Sequence, residues 1–202
     1  RLFFPATLRN RDCIANVLLK HLPKSGSVLE IGSGSGEHAV IFQKRFPYIN
    51  WQTSDPELVH RESITGWIDH HGLTLKMSQP IDLDVEISPW QLPPQLISTL
   101  KAVVCINMLH IAPWSCTQAL FEGVANILKT EQLLIIYGPF MRSGVHTSES
   151  NVSFDNLLKS QNESWGIRDL DQINKVAIEN GLKEHDVIQM PANNLTLIFQ
   201  VS

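Results

Sequence analysis

Apolar residues along the chain fall into two patterns: short continuous runs, and longer stretches in which they recur every three or four positions. Strand candidates, most of them near-continuous apolar runs that predict buried β-strands, lie at 27–31, 49–54, 74–79, 101–107 and 132–138. The periodic stretches predict amphipathic helices, which lie at 12–22, 37–46, 57–71, 114–128 and around 170–180. Because strands and helices alternate, the pattern predicts a doubly wound, mostly parallel α/β sheet.

The last part of the chain departs from this alternation. Two strand-like segments, "EHDVIQM" and "NLTLIFQVS", are separated only by "PANN". A connection that short cannot form a helical crossover, so the segments predict an antiparallel hairpin and bring the sheet to seven strands, in a Rossmann-like arrangement. No repeat or linker interrupts the pattern. We therefore expect a single domain over 1–202, with an N-terminal helix at about 9–22 and an insertion at about 140–169.

Composition and charge argue against several classes of protein. Hydrophobic residues make up 43% and charged residues 18%, as in ordinary globular proteins. The formal net charge of -4 gives no general attraction to nucleic acid or to anionic membranes. The three cysteines lack CxxC spacing, which argues against a disulfide framework or a zinc site and favours a reducing, cytoplasmic location. We find no apolar run near the ~20 residues of a membrane span, and no signal-peptide pattern.

The stretch "VLEIGSGSGEH", residues 28–38, places three glycines where the first predicted strand passes into a helix. Open α/β sheets bind ligands at this edge, although a tight turn without a ligand would also need glycine. The spacing is GxGxG, with Glu37 where dinucleotide loops have their third glycine. Glu30 adds a negative charge that suits a cationic amino-acid ligand better than a diphosphate. Asp55 ends the second predicted strand, where an acidic residue can bind ribose hydroxyls.

Several strings of residues carry a resemblance to known enzymes. The glycine stretch, Asp55, "IDLDV" at 81–85 and "CINMLHIAPW" at 105–114 resemble class I S-adenosylmethionine-dependent methyltransferases, whose sheet ends in the same antiparallel hairpin. The chain is still more similar to the DUF938 family, which includes methyltransferase-like protein 26. That similarity covers nearly the whole chain and runs through "RNRD", "YGPF", "TSESN", "SWGIRD" and "MPANNL". It implies S-adenosyl-L-methionine as cofactor and methyl transfer as reaction, but no particular acceptor.

The resemblance also implies roles for individual residues. The loop glycines would approach the methionine portion of the cofactor, Glu30 its ammonium group and Asp55 its ribose. Asp84 would accept a hydrogen bond from the adenine amino group, with Asp82 as the competing choice. The implied cofactor-binding residues are Glu30, Gly32, Ser33, Gly34, Gly36, Asp55, Leu83, Asp84, Asn107 and Met108. Any one carboxylate alone could instead cap a helix or lie in a solvated loop, but acidic residues at three consecutive strand ends favour a site.

Methyl transfer from an activated sulfonium needs alignment and, for some acceptors, a base. His110 is the candidate base because it follows the fourth predicted strand and imidazole titrates near neutral pH. The alternative is a loop histidine that only shapes the pocket. His38 is expected to pack or cap, and the adjacent His70 and His71 diverge on a helix, so no metal site is predicted. The chain lacks the (N/D)PPY string after this strand, which argues against adenine or glutamine nitrogen as acceptor.

The insertion is the predicted acceptor side of the site, since long connections often form lids or binding loops. Arg168 would orient a small anionic or carbonyl-bearing acceptor, and Tyr137 and Trp165 would form apolar walls. The alternative for Arg168 is a pairing with Asp169 or Glu149 that only holds the loop. Two other functions also stay open. One is a non-catalytic module that binds the cofactor in a protein complex, and the other is a nicotinamide-dependent oxidoreductase, which the GxGxG spacing disfavours.

Overall fold

The computed structural model describes residues 1–202, which form two compact units, 1–105 and 106–202. The first unit begins with helix α1 and contains three strands that pair in parallel. Its elements are α1 (Pro5–His21), β1 (Gly26–Ile31), α2 (Glu37–Arg45), β2 (Ile49–Thr53), α3 (Leu58–His70), α4 (Pro94–Thr99) and β3 (Leu100–Ile106), whose last residue belongs to the second unit.

Strand β1 lies between β2 and β3 and pairs with both of them in parallel. Its side chains from Ser27 to Ile31 are buried, which explains why most of them are apolar. Helix α1 packs on α2, and its residues Ile14 and Leu18 are buried, as its periodic pattern predicts. The glycine loop follows β1 directly and ends where α2 begins.

The second unit begins with a 3₁₀ turn and contains an antiparallel group of strands. Its elements are the turn Leu109–Ile111, α5 (Trp114–Ile127), β4 (Leu133–Gly138), β5 (Phe140–Arg142), β6 (Val145–His146), α6 (Glu149–Gln161), β7 (Arg168–Asp169), α7 (Leu170–Glu179), β8 (Leu182–Met190), a second 3₁₀ turn (Pro191–Asn193) and β9 (Asn194–Val201).

Strand β9 runs antiparallel between β4 and β8, so the predicted C-terminal hairpin is confirmed. Its turn places Ala192 and Asn193 at positive φ, 57° and 58°. The predicted insertion holds α6 and the three strands of a small separate sheet, in the order β6-β5-β7. Buried aromatic packing supports the antiparallel strands, since the ring of Phe121 on α5 meets the ring of Phe199 on β9 edge-on at 5.2 Å.

The prediction of seven strands in the main sheet was wrong by one. The main sheet has six strands, in the order β2-β1-β3-β4-β9-β8. The predicted strand at 74–79 forms turns instead, and only Ile81 makes an isolated bridge to Ser54. In this segment Met77 is buried but Leu75 is 98% exposed, so a strand here would bury little apolar surface. None of the helices is both long and apolar enough to cross a lipid bilayer.

Candidate functional site

The three glycines of the loop all have positive φ, and two of them have identifiable structural reasons. Gly36 has φ +90° and precedes α2; a Cβ there would lie 2.8 Å from the Cα of Ile64 on α3. Only glycine allows this close packing of helix against loop. Gly36 is therefore required by the fold, whether or not a ligand is bound.

Gly34, in the middle of the loop, is tied to the end of β2. Its N–H donates to Oδ2 of Asp55 at 2.9 Å, and the backbone N–H of Ser33 donates to the carbonyl of Ser54, also at 2.9 Å. Its φ is +54°, and a Cβ would lie 3.0 Å from Cε2 of Phe4. The loop is thus held in its left-handed conformation by contacts from β2 and from the residues before α1.

Asp55 is buried, and both of its carboxylate oxygens have protein partners. Besides the bond from Gly34 to Oδ2, Oδ1 accepts the N–H of Glu57 at 3.0 Å and lies 3.0 Å from Nδ1 of His60. These contacts give Asp55 a clear role in ordering the glycine loop. A contact between Asp55 and ribose, as implied by the resemblance, stays a prediction and would have to share or replace these partners.

Glu30 lies at the end of β1 and is almost fully buried. Its Oε2 accepts a hydrogen bond from the indole Nε1 of Trp51 at 2.9 Å. Burial raises the pKa of Glu30 from 4.5 to about 7, and the nearby charge of Asp55 contributes in the same direction. A carboxyl in this environment loses its proton more readily when a cation approaches, which suits the predicted ammonium contact.

The segment after α3 carries the residues expected beside adenine. Leu83 is buried and Asp84 is half-buried; Oδ1 of Asp84 accepts the N–H of Glu86 at 3.0 Å. The competing candidate, Asp82, is exposed and forms an ion pair with Arg61 at 2.9 Å. Asp82 is thus paired with a cation and Asp84 is not, and the adenine contact of Asp84 stays a prediction.

In the second unit, the residues that follow β3 form a tight turn. Asn107 has φ +56°, which is uncommon for a residue with a side chain, and its N–H donates to the carbonyl of Tyr137 at 2.9 Å. Met108 is half-buried and Tyr137 is buried. The roles predicted for Asn107 and Met108 at the sulfonium, and for Tyr137 as an acceptor wall, stay predictions.

His110 is buried in the 3₁₀ turn. The ring of Phe154 on α6 meets it edge-on at 5.6 Å, and a Cβ at Gly138 would lie 3.4 Å from its Nδ1. Burial, and next the charge of Arg168, lower the pKa of His110 from 6.5 to about 4. The imidazole is therefore neutral at physiological pH and can accept a proton or a hydrogen bond.

Arg168 donates to backbone carbonyls, an arrangement the sequence analysis did not foresee. Its Nε donates to the carbonyl of Leu109 at 3.0 Å, and its Nη2 donates to those of Ala112 at 2.5 Å and Ser164 at 2.9 Å. Arg168 forms an ion pair with neither Asp169 nor Glu149, the two partners that the alternative named, and Asp169 instead accepts backbone N–H groups of Gly144 and Asp171. The backbone N–H of the neighbouring Trp165, itself half-buried, donates to the carbonyl of Asn162 at 3.0 Å.

Sequence reasoning missed residues whose partners are distant along the chain. Glu37 is buried, and its Oε2 accepts the backbone N–H of Phe4 and the hydroxyl of Ser35, both at 2.8 Å. Nε2 of His38 lies 2.8 Å from Oδ1 of Asn10, so the histidine packs against α1. The strings "RNRD" and "GSGSGEH" were the available signal, because they contain both residues of this buried contact.

Two other strings from the sequence analysis also meet in the structure. Asn151, in "TSESN", is buried and donates from Nδ2 to the carbonyl of Asn193, in "MPANNL", at 3.2 Å. These strings therefore join the start of α6 to the turn between β8 and β9. This contact gives Asn151 and Asn193 a structural role.

Solved structures of methyltransferases have the same fold. The mitomycin 7-O-methyltransferase MmcR matches with a TM-score of 0.80 at 13% identity, over 98% of this chain and 54% of its own. An O-methyltransferase family protein from Burkholderia thailandensis matches at 0.77 and 17% identity, over 98% and 57%. An O-methyltransferase from neocarzinostatin biosynthesis, solved with S-adenosylmethionine and 2-hydroxy-5-methyl naphthoic acid, matches at 0.67 and 11%, over 97% and 57%.

These matches show that the chain has the class I methyltransferase fold, with a mostly parallel sheet and antiparallel C-terminal strands. The chain spans a little more than half the length of the three matched proteins. The sequence also matches, over residues 1–201, the family described as "Protein of unknown function (DUF938)".

Proposed function

This chain belongs to the DUF938 family, and we propose that it transfers a methyl group from S-adenosylmethionine to oxygen, nitrogen or sulfur of a small molecule. Within the family we place it with methyltransferase-like protein 26, in the cytoplasm. The observation that carries the proposal is the arrangement at the ends of β1 and β2. There a left-handed glycine loop is tied to Asp55 and begins beside the buried carboxyl of Glu30.

The residues at these strand ends fit the cofactor's amino-acid portion. Glu30 offers a buried carboxyl to an ammonium group, whereas the same charge would repel a pyrophosphate. Asp55 and Asp84 would hold the nucleoside portion, with Leu83 beside the base. Gly32, Gly34 and Gly36, with Ser33 in the same loop, would approach the methionine portion through their backbone, and Asn107 and Met108 would line the sulfonium pocket. When bound, S-adenosylmethionine supplies a methyl group already activated on sulfonium, so the protein needs to provide alignment more than catalytic groups.

His110 is the residue that would receive a proton from the acceptor. Its buried, neutral imidazole has a free lone pair at physiological pH. A base with so low a pKa in the resting protein suits acceptors whose own proton is acidic, such as phenols or thiols, better than alcohols. The ring of Phe154, 5.6 Å away, and the buried ring of Phe140, which lies with His110 beside Gly138, would favour an acceptor with an apolar body.

Binding calorimetry tests the cofactor directly. We expect S-adenosylhomocysteine to bind at one site and NAD to release no heat at the same concentrations. Binding of NAD without S-adenosylhomocysteine would refute the proposal in favour of the oxidoreductase. Binding of S-adenosylhomocysteine with no methyl transfer across a library of phenols, thiols, amines and carboxylic acids would favour the non-catalytic module.

The pH dependence of binding tests the role of Glu30. At pH 6 about a tenth of this carboxyl is ionised, and at pH 8 about nine tenths, given its pKa of about 7. Affinity for S-adenosylhomocysteine should therefore be roughly tenfold higher at pH 8 than at pH 6. The Glu30→Gln variant should bind more weakly, with this dependence lost. If the variant retains the wild-type pH dependence, Glu30 does not contact the ammonium group.

A further inference from the structure

The turn that carries His110 has three of its carbonyl oxygens bound by one short segment, Ser164–Arg168. The carbonyl of Leu109 accepts from Nε of Arg168 at 3.0 Å, and the carbonyl of Ala112 from its Nη2 at 2.5 Å. The carbonyl of His110 itself accepts the backbone N–H of Gly166 at 3.0 Å. The segment thus binds backbone carbonyls before His110, at His110 and after it.

These contacts meet a physical need of the turn. The carbonyls at the end of a short helix have no partner within it, and a cation is favoured beside them. Arginine suits this place because its planar fork can donate to several carbonyls at once, whereas the lysine ammonium is a compact point charge. The guanidinium also lies 5.8 Å from the centre of the Trp114 ring, at the start of α5.

The segment itself is anchored by a buried carboxylate. Oδ1 of Asp155 on α6 accepts the N–H of Ile167 at 2.7 Å, and Oδ2 accepts from Lys159 at 2.6 Å. Gly166 has φ +152°, and a Cβ there would lie 3.0 Å from Oδ1 of Asp155. The glycine is therefore needed for the approach to Asp155, and the chain of contacts runs from α6 through the segment to the His110 turn.

We propose that Arg168 is a positioning residue that fixes His110 by binding the backbone on either side of it. The inference rests on the proposed function, in which His110 accepts the proton of the acceptor. In this role Arg168 does not contact the reacting atoms. The positioning role replaces the sequence-based prediction that Arg168 binds the acceptor. The charged group that acts on His110 is Arg168 on β7, and the charges of Asp155 and Cys116 act on the guanidinium in turn. Asp155 also pairs with Lys159 and His146. Phe154 and Gly138 lie beside the imidazole.

The test compares Arg168→Lys and Arg168→Ala with the wild type. The control is Ile173→Val, which removes a methyl group from the buried face of α7 without touching the turn. The imidazole of His110 is followed by NMR titration of 13C-labelled histidine, with His110→Asn used to assign its signal. Hydrogen exchange of the Gly166 amide reports the opening of the turn.

We expect both Arg168 variants to move the titration of His110 upward, to within about one unit of the ordinary value of 6.5, because the turn opens to water. The Gly166 amide should exchange about tenfold faster or more, beyond any change in global stability. In Ile173→Val the titration should stay as in the wild type, and exchange should follow global stability alone.

Two results would overturn the proposal. If Arg168→Lys titrates as the wild type does while Arg168→Ala shifts, the guanidinium acts only through its charge. If both variants behave like Ile173→Val, Arg168 is an ordinary scaffold residue. The NMR experiment needs neither cofactor nor acceptor, so a wild type that transfers no methyl group but titrates as expected refutes the proposed function and supports the positioning role. With an identified acceptor, both variants should lower kcat and leave the KM for S-adenosylmethionine unchanged.

Discussion

The glycines of the loop have different structural roles, although they look equivalent in the sequence. Gly36 makes room for the backbone of α3, and Gly34 places its N–H on Asp55. The sequence predicted three positions of bare backbone next to a ligand. It could not show that a helix of the same unit approaches one of them, because Ile64 lies 28 positions further along the chain.

We predict that Gly36→Ala destabilises the protein more than Gly72→Ala does. Both glycines have positive φ, +90° and +64°, but a Cβ at Gly36 would lie 2.8 Å from backbone of Ile64, whereas one at Gly72 would meet nothing within 4 Å. Gly72→Ala should therefore cost only backbone strain, about 1 to 2 kcal/mol. Gly36→Ala adds overpacking of roughly 1 to 3 kcal/mol. Urea unfolding measures both, and equal losses would show that the loop can shift away from α3.

The candidate base, His110, and its neighbour Arg168 show which features of single residues could be predicted from the sequence. The position of His110 after a strand was readable from the sequence, whereas the acceptor contact suggested for Arg168 stays an untested prediction. The direction in which the arginine donates was not readable, because two of the three carbonyls it binds lie 56 and 59 positions away and any residue type could supply them. When a side chain binds backbone atoms, the sequence contains no complementary side chain that could indicate the contact.

At the scale of elements, the sequence was most informative where burial is regular. Strands β1, β3 and β4 are buried along almost their whole length and were predicted to within a residue or so. The segment 74–79 contains only two apolar residues, Leu75 and Met77, and exposes Leu75, so it has little apolar surface to bury as a strand. Helix α4 was missed because it has six residues and buries only Leu96, too little for a periodic pattern.

The residues before α1 make specific contacts that no sequence pattern predicted. The N–H of Leu2 donates to the hydroxyl of Ser63 at 2.7 Å, and its carbonyl accepts from the indole of Trp67 at 2.9 Å. The ring of Phe4 meets that of His60 edge-on at 6.0 Å and borders Gly34. These residues therefore lie across α3 and the loop, and they support the loop from outside.

We predict that Phe4→Ala weakens binding of S-adenosylhomocysteine by roughly fivefold, because a partly buried ring beside the loop contributes about 1 kcal/mol. The backbone bond from Phe4 to Glu37 is kept in this variant, so only the ring is tested. Phe3→Ala is the matched control, since that ring is 55% exposed; it should change affinity by less than about twofold. Calorimetry measures the affinity of both variants for S-adenosylhomocysteine. An equal effect of the two substitutions would show that the ring of Phe4 does not support the binding site.

At the scale of the whole molecule, three buried groups couple folding to pH. Burial lowers the pKa of His38 in the first unit and of His110 in the second to about 4, and it raises the pKa of Glu30 to about 7. The two histidines stabilise the folded chain above pH 6.5, and this contribution is lost as the pH falls towards 4. Glu30 acts in the opposite direction: its contribution is present below pH 4.5 and is lost as the pH rises through 7.

Between pH 6.5 and 4.5 these opposing effects should leave a net uptake of about one proton on unfolding, two from the histidines less one from Glu30. The free energy of unfolding should then fall by about 1.4 kcal/mol for each unit of decreasing pH. Glu30→Gln removes the opposing group and keeps a partner for the Trp51 indole, so its slope should approach about 2.7 kcal/mol per unit. His38→Gln should instead flatten the slope of the wild type. Urea unfolding of all three proteins across this range measures the slopes, and parallel curves for the wild type and Glu30→Gln would show that Glu30 is already ionised in the folded protein, as an accessible carboxylate would be.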